Sequence, residues 1–211
     1  MKILSMDEAG RGCVLGPLVV GAYCCEDSAL DAVTATGATD SKKLRPAKRV
    51  ALQAGLRALG EVALIEISVE DIDKGSINTL EEEAFAAHIL RFGPDLVYID
   101  APCAPAAIPA FTARLLRRIA PLVPRFVIEP KADLSYPWVG AASIFAKVHR
   151  DALLVPLGAV GSGYPSDPVT RAWLADRLAE GALPACVRTR WGTIEKLRQE
   201  ALFSTTGQGG A

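Results

Sequence analysis

The sequence predicts an α/β fold: a mixed five-stranded sheet flanked by helices, with a C-terminal helical extension. Three observations predict it. Apolar, β-prone runs alternate with segments of helical periodicity up to residue 157. The first two runs meet at a Gly-Pro turn and read as a hairpin, whereas the last two are separated by a helical segment. Beyond Leu157 the pattern changes to a glycine- and proline-rich loop and two helical stretches. The expected division is 1–157 for the core and 158–211 for the extension, packed on it.

Ile3-Leu4-Ser5-Met6 is the first strand, and Leu18–Cys25 the second, joined across Gly16-Pro17. Pro46 suits the first turn of a helix whose apolar positions are Val50, Leu52, Leu56 and Leu59. Glu61–Ser68 alternates as a third strand and Asp71–Gly75 reads as a turn. Thr79–Phe92 is helical, with acids expected in its first turn, where the helix dipole favours them. His88 lies on that helix and is assigned no role. Leu96–Ile99 is a continuous apolar run, expected to be a strand buried on both faces and stopped by Asp100 and Ala101-Pro102. Ala106–Ile119 is a helix carrying Arg114, Arg117 and Arg118 on its surface. Phe126–Glu129 is the fifth strand, with Asp133 at its edge. Val139–Leu157 is a helix opening on the small residues Gly140-Ala141-Ala142-Ser143, with a polar side formed by Ser143, Lys147, Arg150 and Asp151. Asp167 caps a helix over Pro168–Ala179, a last helix runs over Thr193–Phe203, and Ser204–Ala211 is expected to fray.

The 211 residues are half hydrophobic and 22% charged, as a packed globule requires. The formal net charge is −1, so nucleic acid could be held only by a local basic face. The five cysteines are odd in number and form no CxxC pair, which argues against zinc and against a disulfide framework. Acids appear by position 7, which does not suit a signal peptide. No apolar run approaches the roughly 20 residues of a membrane span. A soluble, cytoplasmic, monomeric protein with no membrane contact is expected.

Acids follow three apolar strands: Asp7-Glu8, Asp100 and Asp133. Successive strand residues point to opposite faces unless the chain bends, and the Gly10-Arg11-Gly12 stretch permits such a bend. Four converging carboxylates repel one another unless cations lie between them. Oxygen-only ligands suit Mg²⁺ or Mn²⁺, and two such ions about 3.5–4 Å apart are the arrangement used for phosphoryl displacement. Lys42, Lys43, Arg45, Lys48 and Arg49 place cations at a helix N-terminus, where they oppose the dipole, so an external anion is the better reason for them. With Arg188 and Arg190, they are candidates to hold a polyanionic substrate.

Asp7-Glu8-Ala9-Gly10-Arg11-Gly12 with Gly16-Pro17-Leu18-Val19, Asp40-Ser41-Lys42-Lys43-Leu44, Lys131-Ala132-Asp133, Ala141–Val148 with Arg150-Asp151, and Gly161–Pro168 together resemble ribonuclease HII, the type 2 ribonuclease H. The Gly-Ser-Gly-Tyr-Pro loop and Arg190–Thr193 are more similar to the archaeal and eukaryotic branch. The resemblance implies a ribonuclease H-like catalytic core. It implies cleavage of the RNA strand of RNA–DNA hybrids, and nicking 5′ of single ribonucleotides in duplex DNA, giving 3′-hydroxyl and 5′-phosphate ends. It implies two divalent ions, Mg²⁺ or Mn²⁺, held by Asp7, Glu8, Asp100 and Asp133. The backbone of Gly10, Arg11 and Gly12 would sense the ribose 2′-hydroxyl, Tyr164 would pack on the following deoxyribose, and Lys42 would contact a phosphate. Two departures, Pro130 where many relatives have histidine and Cys13 where proline is frequent, leave the acids intact. Gln199 and Leu202 have the first spacings of a sliding-clamp peptide, but Thr205 and Thr206 occupy its aromatic places, so clamp binding is not expected. A catalytically silent hybrid-binding protein and another two-metal nuclease of the same fold are the competing readings.

Overall fold

The computed structural model describes residues 1–39 and 41–206, the side chains of Lys42 and residues 201–206 excepted. Among the described residues one mixed sheet has the strand order β3-β2-β1-β4-β5. The strands are β1 (Lys2–Ala9), β2 (Leu18–Glu26), β3 (Glu61–Ile67), β4 (Leu96–Asp100) and β5 (Arg125–Glu129). The β1–β2–β3 meander is antiparallel, and β4 and β5 join it in parallel.

The flanking helices are α1 (Leu30–Ala35), α2 (Pro46–Leu59), α3 (Val69–Lys74), α4 (Ile77–Phe92), α5 (Ile108–Ile119), α6 (Ala132–Ser135), α7 (Pro137–Leu154), α8 (Pro168–Ala179) and α9 (Gly192–Thr206). Strand alternation divides the core. Leu4 and Met6 of β1 meet Phe85 and Ile89 of α4 and Phe111 and Leu115 of α5 on one face. On the other, Tyr23 and Cys25 of β2 meet Leu56 of α2 and Ala141, Ala142 and Phe145 of α7. A third cluster joins Val14, Leu15 and Leu154 to Leu174, Val187, Ile194 and Leu197, so the C-terminal segment packs on the loop after β1.

α7 approaches the sheet closely because its residues are small. A methyl group on Gly21 would lie 2.6 Å from the Ala142 carbonyl oxygen, and one on Gly140 would lie 2.9 Å from Thr39 Cα. That close approach matters for the site, since Gly21 is the register partner of Asp7.

Several expectations are corrected. Residues 71–75 are not a turn: helix α3 starts after Ser68, whose hydroxyl accepts the Asp71 N–H at 3.0 Å. α4 begins at Ile77, which moves Glu81 and Glu82 out of its first turn and into burial. β4 is fully buried on one face only, through Val97 and Ile99; Tyr98 on the other is half-buried against Tyr136 and Trp138. Asp133 lies on α6, entered through Lys131 in the left-handed region at φ 62°. His88 is buried, with Nε2 3.2 Å from the Val20 carbonyl oxygen. α9 extends through Thr206, and residues 207–211 lie outside the described residues.

Candidate active site

Parallel pairing of β1 and β4 sets Met6 opposite Ile99, and the next residue on each strand is an acid, Asp7 and Asp100. Asp7 and Glu8 are consecutive near the end of β1, yet their carboxyl groups lie within hydrogen-bonding reach of each other. The chain bends directly afterwards, at Gly10 with φ 92°. Asp7 faces α7, where it hydrogen-bonds Ser143. Glu8 faces α4 and Glu81. The Asp100 charge acts on both. Asp100 Oδ1 accepts the Ala132 N–H at 2.9 Å, which ties β4 to α6 one residue before the buried Asp133.

Electrostatics follow from burial. Burial, then Glu8 and Asp100, hold the Asp7 carboxyl well above the usual carboxylate range, against the Ser143 bond. Glu8 is pushed up to about 8 by burial, Glu81 and Asp100, with Arg11 opposing. Its Oε2 is buried without a hydrogen-bond partner. The Arg11 charge does not offset burial at Glu8. Among the described residues no three His, Cys, Asp or Glu side chains are gathered tightly enough to cage an ion as they stand.

The bend is built tightly. Gly10 has φ 92°, and a methyl group there would lie 2.9 Å from the Pro17 carbonyl oxygen. Its own carbonyl accepts the Cys13 N–H at 3.2 Å, closing a four-residue turn. The Arg11 guanidinium pairs with buried Glu81 and donates to Asn78 Oδ1 at 2.6 Å, both on α4. Tyr164 stands beside Gly12, 3.7 Å from where a β-carbon would be. Burial, with the neighbouring Cys13, pushes its hydroxyl up to about 12, so it is a neutral phenol at any working pH. Glu8, Ala9, Gly10, Arg11, Gly12, Ser41, Ser143, Lys147 and Tyr164 line one cleft of about 490 Å³. The Ser143 and Ser41 hydroxyls share a hydrogen bond at 2.9 Å, and Lys147 pairs with Asp151 at 2.5 Å.

The ribonuclease HII family model matches residues 4–194. The chain belongs to the ribonuclease HII family. It is accordingly a ribonuclease with the ribonuclease H fold. A ribonuclease HII of Archaeoglobus fulgidus is 42% identical over 205 residues, covering 93% of this chain and 97% of the relative. The structure titled as the PCNA:RNase HII complex from the same organism has a TM-score of 0.84 at 38% identity, covering 96% of this chain and 99% of that one. Ribonuclease H2 from Pyrococcus horikoshii OT3 also has a TM-score of 0.84, at 34% identity, covering 95% and 98%.

Within this ribonuclease HII fold, three arginines expected to face the substrate or a polar helix side are buried instead. Arg49 is buried and donates to the carbonyls of Ser41 and Leu44 at 2.8 and 2.7 Å. Arg150, expected on the polar side of α7, is 1% exposed, and Arg188 is 0% exposed; both also bond carbonyls. A charge can be buried when backbone oxygens replace its water. Lys42's side chain lies outside the described residues, as do those of Leu202, Thr205 and Thr206. Sequence reading missed Glu81 and Asn78, which anchor Arg11. Only their spacing, three apart on one helix face, could have signalled them.

Proposed function

We propose that this ribonuclease cleaves the RNA strand of RNA–DNA hybrids and nicks duplex DNA on the 5′ side of a single ribonucleotide, leaving 3′-hydroxyl and 5′-phosphate ends. The observation that carries the reading is that Glu8, the Gly10–Gly12 bend and Tyr164 line one cleft. Carboxylate chemistry, a backbone that approaches a ligand closely and an aromatic face thus adjoin.

Asp7, Glu8, Asp100 and Asp133 would hold two divalent ions, Mg²⁺ or Mn²⁺. The residues fit in kind: all donors are hard oxygens, and the buried Glu8 Oε2 lacks a partner. The chemistry such ions supply is acidification of an attacking water and neutralisation at the leaving oxygen. The protein's own groups supply selection and placement. Backbone N–H groups of Gly10, Arg11 and Gly12 hydrogen-bond the 2′-hydroxyl, which DNA lacks. Tyr164 packs on the next sugar and favours an RNA-to-DNA junction. Ser143 holds the Asp7 carboxylate, Lys147 lines the cleft, and Lys42, whose side chain lies outside the described residues, would contact a phosphate.

Matched duplexes test this: all-DNA, a long hybrid, and DNA with one ribonucleotide, each in Mg²⁺ and Mn²⁺. Cleavage of the last two, with the single nick mapped 5′ of the ribonucleotide, is expected. Absence of cleavage in both metals overturns it and favours a silent binding protein.

A further inference from the structure

The turn proposed to read ribose is held from behind by the C-terminal segment. Residues 186–188 run antiparallel beside 14–16: Leu15 and Val187 form a β-bridge, Gly16 N–H donates to the Cys186 carbonyl at 2.8 Å, and Arg188 N–H to the Val14 carbonyl at 2.9 Å. This pairing drives the Arg188 side chain into the interior, where it is 0% exposed. There Nε donates to the Gly16 carbonyl at 2.9 Å and Nη1 to the Arg11 carbonyl at 3.0 Å, so one planar guanidinium spans both ends of the 11–16 segment.

The Arg11 carbonyl belongs to the same planar trans peptide as the Gly12 N–H, and the two point in opposite directions. Fixing the carbonyl against Arg188 therefore fixes the N–H on the far side. Gly12 is exposed and lines the cleft, and no described residue accepts from its N–H. A cation on the carbonyl also polarises the peptide and strengthens the N–H as a donor. The Arg188 Nη2 is buried without a hydrogen-bond partner, and the guanidinium lies over the Trp191 ring, 5.5 Å from its centroid.

We propose that Arg188 is a specificity-determining positioning residue: through the Arg11–Gly12 peptide it aims the Gly12 N–H at the substrate's ribose 2′-oxygen. The assignment rests on the reading of Gly10–Gly12 given above and adds a residue that contacts no substrate. It also gives the C-terminal segment a part in telling RNA from DNA.

The test is equilibrium binding without divalent ions, so that nothing is cleaved, to a duplex with one ribonucleotide and to its all-DNA counterpart. Full-length wild type, R188Q and R188K are compared, with melting curves as a check on folding. The wild type is expected to prefer the ribonucleotide duplex. R188Q is expected to lose that preference by about 10-fold, the equivalent of one hydrogen bond of ~1.4 kcal/mol, with DNA affinity within about 2-fold. R188K keeps the charge but not the fork, and its preference should fall between them. If R188Q does not fold, R188K decides alone. An undiminished preference in the folded variants overturns the assignment of Arg188 and leaves the ribose-reading turn standing. Equal losses on both duplexes mean a merely structural arginine and overturn it too. A wild type without preference overturns the ribose-reading turn, and the assignment with it.

Discussion

Gly10→Ala tests whether the bend after β1 is a rigid part of the site. Gly10 sits at φ 92°, and the new methyl group would lie 2.9 Å from the Pro17 carbonyl oxygen and 3.3 Å from Arg150 Nε. An L-residue in the left-handed region costs ~1–2 kcal/mol, before any clash. The Pro17 oxygen is backbone and cannot rotate away, so a further ~1–2 kcal/mol of displacement is expected, in the usual range for overpacking. For a chain of this size each kcal/mol lowers Tm by about 2–4 °C, which gives a fall of roughly 5–15 °C. Gly37→Ala is the matched control: φ is 78°, but nothing lies within 4 Å of the added carbon. It should show the backbone cost alone. Activity should separate the two further. A shift of the turn by even 1 Å is expected to slow single-ribonucleotide nicking ~100-fold, while Gly37→Ala nicks like wild type. Thermal melts and initial nicking rates of both variants check this. If Gly10→Ala melts with Gly37→Ala and nicks at the wild-type rate, the bend is not the constrained element described.

Asp7→Asn should abolish cleavage while leaving hybrid affinity within a few fold, and it should raise the metal-free Tm by relieving carboxylate crowding against Glu8 and Asp100. Unchanged turnover would remove Asp7 from the site. Tyr164→Ala should impair single-ribonucleotide nicking more than long-hybrid cleavage; equal losses would strip Tyr164 of its junction role. Mg²⁺ or Mn²⁺ at about 100 times Kd should stabilise the wild type by ~2.7 kcal/mol, a Tm rise of roughly 5–10 °C. The rise should vanish in Asp100→Asn, and its persistence there would place the ions elsewhere.

The strands were legible because their apolar runs are bounded by glycine, proline and acids, and the acids at 7 and 8, 100 and 133 stood out because each follows such a run. What local sequence cannot carry is burial. Arg49 and Arg188 look like substrate-facing cations and Arg150 like part of a polar helix side, yet each is buried and donates to carbonyls, and for Arg150 and Arg188 those include Leu15, Gly16 and Arg11, far away in the chain. Glu81 looked like a dipole-favoured surface acid and proved to be the buried partner of Arg11. α3 was missed although its Ser68–Asp71 cap is written in the sequence, because Gly75 suggested a turn. Asp133 came out on a helix because Lys131 adopts positive φ, which no residue type there announced.

The central claim is spatial: four carboxylates share divalent ions beside the bend. Anomalous scattering from a crystal grown with Mn²⁺ and a ribonucleotide-containing duplex measures it directly. Two manganese peaks bonded to oxygens of Asp7, Glu8, Asp100 and Asp133, at the phosphate 5′ of the ribose, are predicted. Manganese bound away from these side chains would contradict the account.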